Sequence, residues 1–390
     1  MKRVYADTAA TTRPHPDVVA AMLPFLGEAF GNAASVHRRG EAAREAIGLA
    51  RLEVARLLAA QPEEIVFTAT GSEANNLALK GSLHLAEGER RRLVVSAIEH
   101  SSVLEAARAL EAEGFPVTVL PVGANGVLDP ATLEAALGPD VALVSVMAVN
   151  NETGVIQPVE EIGTVVHAAG ALFHVDAVQA AGRMAIPVDG WSAALVSIAA
   201  HKFHGPLGAA ALFVRRRTRL APLVHGGQHE RGRRAGTENL AAIVGMGVAA
   251  ARVRTLVEQG SPEQVSHRAE QLLAELLMRV PDTRLNGDLN RRAGHIVNLC
   301  FVGVDGEAVL HELDLAGVTV STGSACSSAQ AGPSHVLTAM GLRPEDAHAS
   351  VRFSIDEDTT AEDIAYISQV TPPIIERLRS LAGPAMERSA

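Results

Sequence analysis

Three side chains that are suited to chemistry follow short apolar runs of strand length. Asp176 ends the segment ALFHVD, Lys202 follows ALVSIAAH, and His100 follows LVVSAIE. Open α/β sheets bind their ligands at the carboxyl ends of their strands. Desolvation at such a strand end favours the neutral lysine amine that Schiff-base formation requires, although a lone strand-end lysine more commonly reaches solvent.

The chain offers few alternatives to Lys202. Only three of its 34 basic residues are lysines; Lys2 lies at the start of the sequence, and Lys80 ends a predicted exposed helix. Asp176 is costly at a buried strand end unless its charge is paired, and a cationic pyridinium would be a suitable partner. An aspartate that caps the next helix is the alternative. His100 could stack on a ring or move protons, although a lone histidine usually does neither.

A phosphate site is predicted at the turn Thr70-Gly71-Ser72. This turn lies between the strand-like segment EIVFTA and a predicted helix over Glu73–Lys80. The N-terminus of a helix presents free N–H groups and the positive end of a dipole, which suits a phosphate. An ordinary serine N-cap explains the same residues equally well.

The two cysteines of the chain have different settings. Two cysteines exclude a disulfide framework and indicate a reducing compartment. Cys326 lies in STGSACSSAQAG, whose small polar residues and glycines predict an exposed loop with an accessible nucleophilic thiol. Cys300 lies in the apolar segment HIVNLCFV, which favours a packed core thiol.

A large α/β scaffold is predicted to position these residues. From about residue 60 to 216, apolar runs of strand length alternate with amphipathic stretches of helix length, a pattern typical of a mostly parallel sheet. The composition, 47% hydrophobic and 20% charged, is that of a globular protein, and 390 residues suffice for two or three domains. The predicted strands are Glu64–Ala69, Leu93–Ile98, Ala142–Val149, Ala171–Val175, Ala194–Ala199 and Gly208–Val214.

The pattern changes beyond residue 216. The Gly-, Arg- and His-rich segment HGGQHERGRRAGTEN precedes a helix predicted over Leu240–Glu258, and the tetrapeptide QGSP at 259–262 is typical of a boundary. A long helix, the strand HIVNLCFV, a helix over Gly306–Leu315, the strands VTVS and VRFS and a terminal helix follow. This order predicts an α+β second domain.

Charge and hydropathy narrow the classes of partner. A formal net charge of −10 argues against a nucleic-acid surface, and no run of about 18 apolar residues predicts a membrane span. We therefore predict a cytoplasmic protein without a direct nucleic-acid or membrane partner. Glycines between His225 and His229 break the helix that a pair of ligands four residues apart needs, so no metal site is predicted.

Ten segments in order extend these observations over nearly the whole chain. They are YADTAATTRPHP, GNAASVHRRG, TATGSEANNLALKG, IEHSSVL, VNNETGVIQP, HVDAVQ, HKFHGPLG, GGQHERGRRAGTEN, STGSACSSAQAGPSHVLTAMG and HASVRFSI. Together they resemble the pyridoxal-phosphate-dependent cysteine desulfurases of the NifS/IscS type, in the class V aminotransferase superfamily of fold type I. The resemblance implies a large domain over residues 15–260, with a mostly parallel seven-stranded sheet between helices, and a smaller α+β domain from residues 1–14 and 261–390.

The resemblance also implies a role for each candidate residue. Lys202 would hold pyridoxal 5'-phosphate covalently, Asp176 would pair with the pyridine nitrogen, and His100 would stack over the ring and move protons. Cys326 would be the nucleophile. The other implied contacts are Gln179 with the phenolic oxygen, Asn151 with the ring oxygen and the substrate, Gly71, Ser72 and His201 with the phosphate, Thr237 with the phosphate of the second subunit in a homodimer, and Arg352 with the substrate carboxylate.

The implied reaction converts L-cysteine to L-alanine and leaves a persulfide on Cys326 for a sulfur-acceptor or iron–sulfur scaffold protein. The alternatives are a selenocysteine lyase, a desulfurase dedicated to tRNA thiolation or DNA phosphorothioation, and an inactive scaffold of the same fold. Three positions depart from the usual pattern: Ala199 replaces a serine that usually contacts the phosphate, Val178 a frequent threonine, and Ala148 a common histidine.

Overall fold

The protein is described by a computed structural model that covers residues 2–322 and 332–382, so Cys326 lies outside the described residues. The strands of the described part are β1 (Val4–Tyr5), β2 (Ile65–Thr68), β3 (Arg92–Ser96), β4 (Val117–Leu120), β5 (Val141–Met147), β6 (Leu172–Asp176), β7 (Leu195–Ala199), β8 (Ala210–Val214), β9 (Thr283–Leu285), β10 (Ile296–Phe301), β11 (Val318–Thr319) and β12 (Ser350–Ser354). Its helices are α1 (Pro16–Leu26), α2 (Arg38–Leu57), α3 (Gly71–Leu83), α4 (Ser101–Ala112), α5 (Pro130–Ala136), α6 (Val159–Ala168), α7 (Leu240–Glu258), α8 (Ser261–Arg279), α9 (Gly306–Leu315), α10 (His335–Ala339), α11 (Pro344–His348) and α12 (Ala361–Ala382).

A seven-stranded sheet in the order β2-β8-β7-β6-β5-β3-β4 forms the centre of the fold. The strands from β7 to β4 are parallel to their neighbours, and β8 is antiparallel to both β7 and β2. Two reversals leave β2 running in the same direction as β7. The carboxyl ends of every strand of this sheet except β8 therefore lie at one edge, and the predicted α/β class with a mostly parallel sheet is confirmed.

Helices bury both faces of this sheet. One apolar cluster joins α2, α6 and α7 to the sheet through residues such as Val54, Ile162 and Met246. Another joins α3 and α4 to the opposite face through Leu77 and Leu110. Burial on both faces explains why the central strands have continuous apolar sequences rather than alternating ones.

Strand β4 and the hydropathy of α7 differ from the sequence-based expectations. Strand β4 was not among the six predicted strands, because it lies at the sheet edge, where Val119 is exposed and the strand lacks the continuous apolar run of its neighbours. Helix α7 is long and apolar enough to cross a membrane by length and composition alone, with a mean hydropathy of 1.6. More than half of this helix is buried within the protein, where α7 packs against α1 and α2.

The C-terminal part has its own sheets and its own apolar cluster. Strands β12, β10 and β9 form an antiparallel sheet, and β1 pairs in parallel with β11. The cluster joins Val4 and Ala6 of the N-terminal segment to apolar residues of α8, α9 and α12. On this packing we propose the division into residues 15–260 and a second unit from residues 1–14 and 261–390.

Candidate active site

The carboxyl edge of the seven-stranded sheet brings the predicted site residues together. Asp176 is the last residue of β6, and Lys202 lies three residues beyond the end of β7. His100 and Asn151 follow β3 and β5, and Gly71 begins the helix after β2. Because these strands are parallel in space, residues spread over more than 130 positions reach one edge.

A cavity of about 380 Å³ lies at this edge, within the range of small-molecule sites. Nine predicted residues line it: Gly71, Ser72, His100, Asn151, Asp176, Gln179, His201, Lys202 and Arg352. Thr237 is exposed on the surface and does not line this cavity. Cys326 lies outside the described residues.

Lys202 is held against the N-terminal segment. Its Nζ donates hydrogen bonds to the carbonyl oxygens of Ala9 at 2.5 Å and Ala10 at 2.7 Å. The Nε2 of Gln179 donates to the same Ala9 oxygen at 2.8 Å. The segment that begins the chain thus forms one wall of the cavity, and the lysine amine is fixed in that wall.

Asp176 is a buried carboxylate with two hydrogen-bond donors. Asn75 donates from Nδ2 to Oδ2 at 2.7 Å, and the backbone N–H of Val178 donates to Oδ1 at 3.0 Å. The carboxylate is 5% exposed and faces the cavity. A negative charge in this setting is partly compensated by the two donors and retains capacity to bind a cation.

His100 forms the N-cap of α4 and faces the cavity from the end of β3. Its Nδ1 accepts the backbone N–H of Ser102 at 3.1 Å and lies 2.8 Å from the Ser102 hydroxyl. Burial lowers the pKa of His100, an effect that the nearby Asp176 opposes and Lys202 reinforces. The imidazole is therefore neutral near pH 7.

The N-terminus of α3 forms the other end of the cavity. Thr70 caps this 13-residue helix by accepting the N–H of Glu73 at 3.0 Å. A Cβ on Gly71 would approach Val178 Cγ2 to 3.1 Å and Ala199 Cβ to 3.4 Å, so a larger residue would crowd this corner. The helix dipole and the first N–H groups favour an anion here.

Arg352 extends from β12 into the same cavity. Its guanidinium is 3% exposed and donates to Asp7 Oδ1 and to the Asn151 carbonyl oxygen, each at 2.7 Å. Its Nε has no hydrogen-bond partner among residues 2–322 and 332–382. A buried, oriented guanidinium with unused donor capacity suits a carboxylate ligand.

Comparison with known proteins identifies the family of this chain. The family description Aminotransferase class-V matches residues 4–367. The chain belongs to the aminotransferase class-V family. Cysteine desulfurase IscS of Dictyoglomus turgidum is 43% identical to this class-V protein over 383 residues, 98% of this chain and 97% of that protein. A cysteine desulfurase of Nostoc sp. is 44% identical over 382 residues, 98% of this chain and 95% of that protein.

The solved structures agree with the family. A NifS-like protein superposes with a TM-score of 0.91 at 32% identity, covering 97% of this chain and 100% of that one. The fold-type I architecture expected from the resemblance is thereby confirmed. The family also indicates pyridoxal phosphate as the cofactor.

The described cavity of the class-V protein fits pyridoxal phosphate. One sheet edge presents the three groups that this cofactor needs. Lys202 offers an amine for the aldehyde, Asp176 a buried carboxylate for the pyridine nitrogen, and the helix that begins at Gly71 an N-terminus for the phosphate. His201 lines the same cavity and contacts Thr11 Oγ1 at 3.1 Å, and burial lowers its pKa to about 4, so its imidazole is neutral near pH 7. No cluster of three or more metal-binding side chains occurs in the described part of the chain.

Several buried or half-buried polar residues in or beside the site of this class-V protein were not among the predicted residues. Asn75 is a polar residue on the buried face of α3, and Asp7 lies in the N-terminal segment that pairs with β12. Glu152 lines the cavity beside Asn151, and Ser334 contacts its Oε2 at 2.5 Å. Asp7 and Glu152 lie in the segments YADTAATTRPHP and VNNETGVIQP that carry the resemblance, but no residue pattern in those segments assigned a role to either.

Glu99 of the class-V protein leads to a prediction about pH and stability. This fully buried carboxyl accepts from Ser96 Oγ at 2.6 Å and from the N–H of Met147 at 2.9 Å, and burial raises its pKa to about 8. The folded state therefore keeps a proton that the unfolded state releases above about pH 4.5. The stabilising contribution is complete below that pH and is lost as the pH rises through 8.

We expect Glu99→Gln to flatten the fall in melting temperature of the class-V protein between pH 5.5 and 8.5. Thermal unfolding of the wild-type protein and of Glu99→Gln, recorded across this pH range, measures the change in melting temperature. Glu105→Gln is the control, because Glu105 is an exposed residue of α4. Equal pH slopes for wild type and Glu99→Gln would contradict the assignment of a protonated Glu99.

Proposed function

We propose that this protein is a pyridoxal-phosphate-dependent cysteine desulfurase that converts L-cysteine to L-alanine and transfers the sulfur to Cys326 as a persulfide. The observation that carries the proposal is the single cavity in which Lys202, Asp176, His100 and Arg352 converge. The two cysteine desulfurase relatives, alike over nearly their whole length, support the same reaction.

The residues of the cavity would divide the binding of cofactor and substrate. Lys202 would hold the cofactor, Asp176 its pyridine nitrogen, and Gln179 and Asn151 its ring oxygen. Gly71, Ser72 and His201 would hold its phosphate. When bound, pyridoxal phosphate supplies an electron sink for the bonds of the substrate α-carbon.

Arg352 would bind the substrate carboxylate and orient the amino acid. Hydrogen bonds to Asp7 and to the Asn151 carbonyl oxygen fix its position, so its side chain loses little conformational freedom when the substrate binds. His100, neutral and with its Nδ1 occupied by Ser102, would handle protons through Nε2.

The sulfur transfer requires a thiolate at Cys326. The thiolate sulfur would attack the sulfur of the substrate and form the S–S bond of the persulfide. The carbon–sulfur bond of the substrate would break, its electron pair would remain on the carbon, and a proton would complete the methyl group of alanine. No external oxidant is needed, because the substrate carbon is reduced as the sulfur is oxidised.

The described residues on either side of residues 323–331 contact residues of the cavity wall. Ser321 pairs through its backbone with Arg352, with N···O distances of 3.2 and 2.6 Å. Ser334 contacts Glu152 in the cavity wall at 2.5 Å. Cys326 lies four residues beyond Thr322, a separation that an extended chain spans in about 14 Å. The described stretches that flank residues 323–331 therefore both contact the cavity wall, which supports the proposal that Cys326 acts there.

A homodimer is part of the proposal. Thr237 is exposed and does not line the cavity of its own chain, and in the proposed dimer it would contact the phosphate in the partner subunit. Leu23, Leu26 and Phe30 are 60–69% exposed, as expected of apolar residues covered by a second copy. A sulfur-acceptor or iron–sulfur scaffold protein would receive the persulfide in the cytoplasm.

The test is to incubate the protein, loaded with pyridoxal phosphate, with L-cysteine and a reductant, and to quantify alanine and sulfide in the same sample. We expect equal amounts of both. A yellow protein that forms neither product would overturn the proposed substrate. Faster alanine formation from L-selenocysteine would instead favour a selenocysteine lyase.

A second prediction concerns the substrate carboxylate. We expect Arg352→Gln to lower kcat/KM for L-cysteine on the order of 100-fold, mainly through KM, because a buried charge pair with the carboxylate is lost. Steady-state kinetics measures both constants. Arg343→Gln, which removes a surface arginine that pairs with Asp346, is the control. An unchanged KM in Arg352→Gln would contradict the assignment.

A further inference from the structure

A series of hydrogen bonds connects two cavity residues, Asp176 at the end of β6 and His100 at the N-cap of α4. Asn75 of α3 donates from Nδ2 to Asp176 Oδ2 at 2.7 Å and to Ser102 Oγ at 2.9 Å. Ser102 Oγ lies 2.8 Å from His100 Nδ1, which also accepts the Ser102 N–H at 3.1 Å. Asn75 is 1% exposed, and the reaction proposed above assigns no role to Asn75 and uses Ser102 only as the neighbour of His100 Nδ1.

The chemistry of the partners determines which atom donates and which accepts in each of these hydrogen bonds. A carboxylate only accepts, so the amide nitrogen of Asn75 faces Asp176. The same nitrogen donates to Ser102 Oγ, which leaves the hydroxyl hydrogen free to point at His100 Nδ1. Nδ1 then accepts two hydrogen bonds, and the ring proton of His100 resides on Nε2.

We propose that Asn75 and Ser102 are positioning residues that hold His100 in its neutral, Nε2–H form and couple that form to Asp176. The inference rests on the proposed function only in that it takes His100 as the residue that handles protons. It extends that function by two residues, Asn75 and Ser102, that line the cavity and act through their hydrogen bonds to Asp176 and His100.

The charged surroundings of His100 are compatible with this role. Asp176 at the end of β6 favours the protonated ring, whereas Lys202 beyond β7 and His335 of α10 oppose it. Burial lowers the pKa of His100 more than any of these charges shifts it. Protonation at Nδ1 would also place two N–H groups face to face, since the Ser102 N–H is fixed by the first turn of α4.

Removal of the Ser102 hydroxyl should therefore weaken the hydrogen bonding that holds the His100 ring. We expect Ser102→Ala to raise the pKa of His100 by about 0.5 to 1 unit, because one of the two donors to Nδ1 is lost. The acidic limb of the kcat/KM profile should shift upward by the same amount. Ser102→Thr keeps the hydroxyl and should restore the wild-type values.

Asn75 acts on His100 through Ser102 in this arrangement. We expect Asn75→Leu to shift the pKa of His100 in the same direction, and the double variant to shift it no further than Ser102→Ala alone. Such non-additivity is the signature of residues that act in one chain. Ser82→Ala is the control. Ser82 is a buried residue of α3, the helix of Asn75, and its Oγ has no hydrogen-bond partner in the described part of the chain.

The experiment is a ¹⁵N-histidine NMR titration of the full-length protein loaded with pyridoxal phosphate, with His100 assigned from His100→Gln. A wild-type spectrum with an unprotonated Nδ1, an upward shift in Ser102→Ala and its reversal in Ser102→Thr would support the proposal. A protonated Nδ1, an unchanged pKa in Ser102→Ala, or fully additive shifts in the double variant would overturn it. Circular dichroism checks that each variant is folded.

The same titration separates this inference from the proposed function. If His100 titrates as expected but L-cysteine gives no alanine, the desulfurase proposal fails and the hydrogen-bond chain stands. If alanine forms but Ser102→Ala leaves both His100 and the pH profile unchanged, the chain fails and the desulfurase proposal stands.

Discussion

Replacement of Lys202 by alanine should abolish alanine formation from L-cysteine, with a loss of about 10³-fold or more. Lys202 is the one amine placed in the described cavity, where its Nζ is 2.5 and 2.7 Å from two backbone carbonyl oxygens. The other two lysines cannot substitute for it, because Lys2 pairs with Asp363 and Lys80 lies in the last turn of α3. Alanine release and the visible absorbance of lysine-bound cofactor measure the effect.

A second variant separates chemistry from structure at this position. Lys202→Arg keeps a cation that can donate to the carbonyl oxygens of Ala9 and Ala10 but cannot bind the cofactor covalently. We expect it to be as inactive as Lys202→Ala while it melts near the wild-type temperature. Lys80→Ala should retain full activity. Turnover in Lys202→Arg at more than a tenth of the wild-type rate would refute the assignment.

Replacement of Cys326 by serine should remove persulfide and sulfide formation by at least about 100-fold and leave the cofactor absorbance intact. The hydroxyl of serine is a far weaker nucleophile at neutral pH than a thiolate, and it cannot hold a persulfide. Cyanide-releasable sulfur on the protein and sulfide release in the presence of a reductant measure the effect. The unchanged absorbance would show that the variant still binds the cofactor.

Cys300 is the matched control for that prediction. It lies in β10, is 1% exposed, and burial raises its pKa, so the thiolate form is scarce. Cys300→Ala should therefore retain desulfurase activity. Full activity of Cys326→Ser together with its loss in Cys300→Ala would move the nucleophile to Cys300.

The chemistry-bearing residues could be predicted because their positions follow from local patterns. Apolar runs of five to eight residues marked the strands, and polar or charged residues within a few positions of several of their ends marked the ligand-binding edge. The helices Leu240–Glu258 and Gly306–Leu315 have the predicted bounds, since each begins after a capping residue, Asn239 or Asp305. Strand β4 escaped prediction because a half-exposed edge strand lacks that signal.

The partners of those residues depend on contacts that no local pattern encodes. Asp7 and Arg352 are 345 positions apart, and Asn75 and Asp176 are 101 positions apart. Such pairs form only after the N-terminal segment lies beside β12 and α3 packs on the sheet. Their geometry depends on shifts of tenths of an ångström, which packing alone determines.

The sequence by itself determined the α/β class, the residue types available for catalysis and the resemblance to cysteine desulfurases, because strand periodicity and strand-end positions are local properties of the chain. The tertiary structure alone decided that nine predicted residues share one cavity, that Thr237 does not reach it, and that His100 and His201 are neutral. The physical reason is that burial and hydrogen-bond partners determine protonation, and both arise only when distant segments pack together.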